Sequence, residues 1–184
     1  MFLRISADEV GYVQSPIPSD VPAYGHLQEE AGRLGDPPFS DELASVVAGA
    51  RRRALRDGDP QIDTAHLLHS LLEADPEVRS VFADKVQVAR LLGYLVQRSI
   101  GYGLQWRGAV EDSGAVPVVG GAPAWSPYVA AAMEAAVERA VSRGDAWARG
   151  VDVLAALAAD AECRAVEVLG RAGVDLEGLR QRLR

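Results

Sequence analysis

The chain is written twice. "FSDELASVVAGARRRALRDGD" (residues 39–59) and "WSPYVAAAMEAAVERAVSRGD" (125–145) share one pattern: an aromatic residue, a serine, an Ala-rich amphipathic run, then Gly-Asp. Phe39 over Trp125 sets an offset of 86 residues, and the same offset lays "AHLLHSLLEA" (65–74) on "VDVLAALAAD" (151–160), with Leu68 over Leu154 and Leu71 over Leu157. After a two-residue insertion the offset becomes 88, and "VQVARLLGYL" (86–95) falls on "VDLEGLRQRL" (174–183). Two copies of a unit that cannot bury its apolar face alone must cover one another.

Each unit reads as four helices, so the fold class expected is all-α, with about eight helices in two copies related by a pseudo-two-fold and forming one domain. Ser40 and Ser126 are N-cap residues, and Pro127 stands at the first helical position, where its missing N–H costs nothing. Leu43, Val46, Val47, Ala50 and Ala54 recur at helical spacing, as do Val129, Met133, Val137 and Ala140. Gly58 and Gly144 are the expected left-handed stops. The second helix begins near Thr64, or near Gly150 in the other copy; its Leu67, Leu68, Leu71 and Leu72, or Val153, Leu154 and Leu157, make it apolar nearly all round and therefore central. Third and fourth helices are expected around 76–84 and 87–100, and around 163–172 and 176–183, with Gly173 and Asp175 as stop and start signals.

The chain divides accordingly: an N-terminal extension 1–38, repeat 1 at 39–102, a linker 103–124 and repeat 2 at 125–184. The linker is rich in Gly, Pro and small residues. The extension holds "SPIPSDVPAYG" and "GDPP" and reads as extended or loosely ordered, with 26–34 as one short candidate helix. Its Phe2, Leu3, Ile5, Val10, Tyr12 and Val13 are expected to pack across the repeat surface.

A net charge of −7 argues against a general binder of nucleic acid or anionic membrane, so neither is expected as a partner. Arg51, Arg52, Arg53 and Arg56 would spread around a helix as a solvated face rather than a phosphate patch. Cys163 is the single cysteine, no long apolar stretch suits a secretory signal, and no run of 18 apolar residues occurs. A reducing, cytoplasmic location is the expectation.

Catalytic patterns are missing. Lys85, the sole lysine, lacks the glycines and hydroxyl residue of a phosphate-binding loop, and no nucleophile elbow, H-E-x-x-H or paired-cysteine pattern occurs. No enzyme activity, no catalytic residue and no cofactor is expected. "DTAHLLHSLLEADPEV" (63–78) does put His66 and His69 on one helix face, the spacing of a metal or catalytic pair. Only Asp63 and Glu73 lie near them in sequence, so the expectation is structural: Thr64 as N-cap, His66 packed behind it, and no metal.

Taken together, aromatic-Ser, the Ala-rich helix, Gly-Asp, "IDTAHLLHSLL" and a second copy ending "AVEVLGRAGVDLEGLRQRL" resemble the duplicated Clp N-terminal (Clp repeat) domain of ClpC- and ClpA-type unfoldases. The resemblance covers about 39–184 without the linker. Gly58, Ile62, Thr64, His66, Leu68 and Leu71 fall in its register, as do Pro127, Gly144, Val166, Leu169, Gly173, Val174 and Leu176. It implies that His66 is structural, whereas His69 stands where the family has an apolar residue.

In the unfoldases that it resembles this domain precedes ATPase modules and docks adaptors and substrates; this sequence ends at Arg184, so the expectation is a stand-alone, non-catalytic module that binds peptides, substrates, adaptors or ligands of the Clp unfoldase system and delivers or sequesters them. The alternatives are a Clp-repeat fold serving as a regulatory interaction module unrelated to Clp proteolysis, and a metal-dependent hydrolase around His66 and His69. In bacterial domains that it resembles, each repeat can grip a phosphorylated arginine through the hydroxyl after the aromatic and through the Glu of a Thr-Glu-His element. Those family positions are Phe39, Ser40 and Ala65, and Trp125, Ser126 and Val151 here. The serines keep a hydroxyl at a helix start, but both glutamates are gone, so weak or absent phosphoarginine binding and a more apolar ligand near Phe39 and Trp125 are expected.

Overall fold

The structure, a computed structural model, describes residues 38–99, 111 and 124–184. Apart from Pro38, the extension with its 26–34 helix lies outside the described residues, as does the linker apart from Glu111 and Ala124.

Among the described residues there are eight helices, four in each sequence copy. The first four are α1 (Asp41–Asp57), α2 (Thr64–Ala74), α3 (Pro76–Ser80) and α4 (Lys85–Ser99). The second four are α5 (Pro127–Arg143), α6 (Gly150–Ala159), α7 (Arg164–Arg171) and α8 (Leu176–Arg182). α1 and α5 start alike: the hydroxyls of Ser40 and Ser126 accept from the amides of Leu43 and Val129, each at 3.2 Å. They also stop alike, at Gly58 (φ 71°) and Gly144 (φ 78°), a conformation that β-carbons resist.

The start of α2 corrects one expectation. Its N-cap is Asp63, whose carboxylate accepts from the His66 amide at 2.8 Å, and Thr64 is the first helical residue. Aspartate is the stronger cap, and Thr64 is left with a hydroxyl to use elsewhere. α3 is also shorter than the pattern suggested, ending at Ser80, with Val81–Asp84 turning the chain into α4.

α2 and α6 form the centre. Every residue from Thr64 to Leu72 is buried, as are Val153, Leu154, Leu157 and Ala158, while α1 packs on α2 and α5 on α6. Each buried leucine adds about 1.5–3 kcal/mol of apolar transfer. Truncation of Leu68 or Leu154, both fully buried, to alanine costs about 2–5 kcal/mol because the close-packed neighbours cannot collapse into the void.

The repeats are joined crosswise. β1 (Gln61–Ile62) runs parallel to β2 (Ala124–Trp125), with Ile62 opposite Trp125, and Phe39 forms a parallel bridge with Ala148. The 86-residue offset turns Phe39 into Trp125 and Ile62 into Ala148, so one pairing is the pseudo-two-fold image of the other. The amide of Ser126 donates to the Ile62 carbonyl at 2.9 Å, and that of Ser40 to the Ala148 carbonyl at 3.0 Å. These strands were not read from the sequence, because two residues carry no alternation to detect.

Candidate functional site

The crosswise strands decide which candidate residues meet. Ser40 lies against the segment entering α6 and Ser126 against the segment entering α2. Each serine therefore faces the other repeat: Phe39 and Ser40 lie on the Ala148–Val151 edge, and Trp125 and Ser126 lie on the Ile62–Ala65 edge. Phe39, Trp125 and Val151 are half-buried against the core, whereas Ala65 and Ser126 are fully buried. The two edges are symmetric in backbone but unequal in access.

At the Ser126 edge a carboxylate is already present. Glu111 is buried, and it accepts from the Thr64 amide at 2.8 Å, the Ser126 hydroxyl at 2.7 Å and the Arg164 amide at 2.9 Å, and also from the Thr64 hydroxyl. Its own amide donates to the Gln61 side chain at 3.2 Å. The starts of α2, α5 and α7 converge there. Their first-turn amides and dipoles favour negative charge, and Glu111 supplies it from within the chain. In sequence Glu111 is one acid in a Gly-rich stretch, and only the folded chain shows what it meets.

A second residue that sequence reasoning missed is Trp147. It adjoins the Phe39 edge beside Ala148 and is 57% exposed. A tryptophan so placed has apolar area to lose on contact with a protein partner. Its counterpart at the 86-residue offset is the polar Gln61, which is why the repeat pattern did not flag it.

His66 and His69 do not build one site. His66 is buried, and its Nδ1 lies 3.2 Å from the Asp63 amide, completing a reciprocal cap in which Asp63 takes the His66 amide. Asp152 does the same work in α6, accepting from the Arg149 amide at 3.0 Å. The Nε2 of His69 instead lies 3.3 Å from Glu73 Oε1. Burial first, and then the Arg53 charge, lower the His69 pKa to about 4, so it is neutral near pH 7. Burial pushes the Cys163 thiol up to about 11, which withholds the thiolate that a cysteine nucleophile needs. A groove of about 290 Å³ lies beside it, between α5 and α6, lined by Tyr128, Ala132, Ala156, Leu157 and Cys163 among others.

The helices in this order, with the crosswise strand pairing, define the Clp N-terminal domain fold. Among solved structures of that kind, the chain is similar to the N-terminal domain of the caseinolytic protease associated chaperone ClpD from Arabidopsis thaliana, with TM-score 0.62 and 19% identity over 82% of this chain and 96% of that one. It is similar to a structure from a malarial protein secretion system (TM-score 0.58, 16% identity, 80% of this chain and 92% of that one). The Hsp104 N-terminal domain from Candida albicans follows (TM-score 0.56, 14% identity, 80% and 89%). No protein-family model matches the sequence, and no curated protein matches it. Among the described residues no helix is long and apolar enough to cross a membrane.

Proposed function

We propose that this chain is a non-catalytic protein-binding module of the Clp N-domain kind, engaging peptides, substrates or adaptors of a Clp unfoldase system in a cytoplasmic setting. The observation that carries this reading is the pair of crosswise edges on that fold, each presenting a half-buried aromatic, Phe39 or Trp125, beside the start of a central helix. Half-buried aromatics held rigidly by a backbone pairing are low-entropy anchors for an extended apolar segment, and the exposed Trp147 enlarges the Phe39 edge.

The ligand is read without phosphate. Ala65 and Val151 bring no carboxylate to an arginine head, and at the Ser126 edge the anion's place between helix starts belongs to Glu111. The buried, protonated Cys163 thiol and the neutral, enclosed His69 support a binding role over a catalytic one.

Affinity purification of the tagged full chain, followed by identification of the bound proteins, tests the proposal. Recovery of Clp unfoldase subunits or of known Clp substrates is expected. Recovery only of proteins with no connection to Clp proteolysis assigns the same edges to a separate regulatory complex and overturns the Clp assignment.

A further inference from the structure

The offset of 86 residues exposes an imbalance between the two copies. In repeat 2, the positions around the end of α5 and the start of α6 are Arg143, Asp145, Arg149 and Asp152; in repeat 1 the same positions are Asp57, Asp59, Asp63 and His66. Repeat 2 alternates in sign and holds its own cation. The Arg143 guanidinium bridges Asp145 Oδ2 at 2.9 Å and Asp152 Oδ1 at 2.6 Å. Repeat 1 puts an acid where that arginine stands.

What surrounds the equivalent place in repeat 1 is a converging ligand set. The Nε2 of His66 lies 3.1 Å from Asp59 Oδ2 and 3.8 Å from Asp57 Oδ2, and one donor atom from each of the three residues lies within 4.8 Å of the others. Donors bound to a tetrahedral zinc at about 2.0–2.1 Å stand about 3.3 Å apart, so Asp59 and His66 are already near the spacing of a shared metal. The histidine is 2% exposed and its ring is fixed: Nδ1 accepts from the Asp63 amide at 3.2 Å and lies 2.8 Å from Asp63 Oδ1, a carboxylate of the kind that orients an imidazole metal ligand. Asp63 is held in turn by Arg164 at 2.7 Å. Arg56 reaches the other oxygen of Asp57 at 3.2 Å from an exposed position, which leaves it free to swing out to solvent.

We infer that Asp57, Asp59 and His66 form a site for one divalent first-row transition cation of the zinc type, which occupies in repeat 1 the place that Arg143 fills in repeat 2. One imidazole nitrogen and two carboxylate oxygens suit zinc rather than magnesium or calcium, which prefer all-oxygen sets. The sequence alone pointed to Asp63 and Glu73 as the only neighbours; the turn at Gly58 brings Asp57 and Asp59 to the histidine instead. Binding shifts the imidazole proton from Nε2 to Nδ1, which gives up the bond it accepts from the Asp63 amide and donates instead to Asp63 Oδ1, and Nε2 becomes the metal ligand. The ion would pin the end of α1 to the start of α2, beside the Ile62–Trp125 pairing. This inference stands apart from the Clp assignment, since its test measures metal and not partner.

Zinc titration of the purified full chain against a competing chelator is the test, with nitrogen-15 spectra of the imidazoles recorded in parallel. One zinc per chain is expected, together with conversion of His66 to the Nδ1–H tautomer. Asp59→Asn should weaken binding at least tenfold while the metal-free melting temperature hardly moves, because asparagine keeps an oxygen to face Nε2 and the backbone amide that caps α1 is unchanged; Asp145→Asn, the matching change in repeat 2, should leave zinc affinity unchanged. The inference is overturned if zinc does not bind, if Asp59→Asn binds zinc as well as the unaltered chain, or if the His66 proton stays on Nε2 under saturating zinc.

Discussion

Arg143 and Asp152 face one another through two parallel hydrogen bonds, Nη1 to Oδ1 at 2.6 Å and Nη2 to Oδ2 at 2.9 Å, and tie the end of α5 to the first turn of α6. Asp152 is 2% exposed and Arg143 36%, so the pair is shielded at its acidic end. Burial raises the Asp152 pKa, but the hydrogen bonds from Arg143 and from the Arg149 amide outweigh it and leave the pKa below the ordinary carboxylate value. The stability that this contributes is complete above an unfolded pKa of about 4 and is lost as pH falls through the lowered folded value. Asp152→Asn should cost about 2 kcal/mol at pH 7 by losing charge-assisted bonds, and the deficit should narrow below about pH 4. Chemical denaturation of both proteins at pH 7 and pH 3 checks this.

His69 titrates in a higher window. Its folded pKa is about 4, and the surrounding groups are Arg53, Glu73, Arg56 and Asp57. The unfolded chain takes up the proton near about pH 6.5 and the folded chain does not. Stability is therefore complete above the unfolded value and falls progressively as pH drops from there towards 4. His69→Leu, which places an apolar side chain on the same buried face, should remove this loss. Melting temperatures at pH 7 and pH 5 should differ less for the variant than for the unaltered chain.

Glu111 satisfies donors from three helix starts, so Glu111→Ala should destabilise the fold by about 1–3 kcal/mol through buried amides and hydroxyls left unpaired. The same change opens the anion's place. Inorganic phosphate should raise the melting temperature of Glu111→Ala more than that of the unaltered chain, and free phosphoarginine should give no micromolar binding to the unaltered chain in calorimetry. Micromolar binding abolished by Ser40→Ala or Ser126→Ala would show that the edges work without the family glutamates.

The fold was legible because its determinants are local or repeated. Ser40 and Ser126 cap, Gly58 and Gly144 stop, and an apolar-all-round helix such as α2 has nowhere to go but the middle. The candidate site was less legible, for a physical reason: its neighbours come from the other repeat. Glu111 joins Ser126 to Thr64, across 47 residues from Thr64 to Glu111, and Thr64 accepts from the Ala165 amide across 101. The N-cap of α2 was misplaced by one residue because Asp63 and Thr64 are adjacent and both cap, and the preference for aspartate is small. Asp57 and Asp59 read as a helix end followed by a turn, and only the fold folds them back onto His66.

Binding between purified components is the most direct test of the proposed role. The chain is immobilised, and its dissociation constants for Clp unfoldase subunits and for an unfolded Clp substrate are measured beside those of a Phe39→Ala, Trp125→Ala double variant whose helical circular dichroism is unchanged. Saturable binding of at least one of the two, weakened tenfold or more in the double variant, is the predicted result; no binding of either, or equal binding by both forms of the chain, would contradict it.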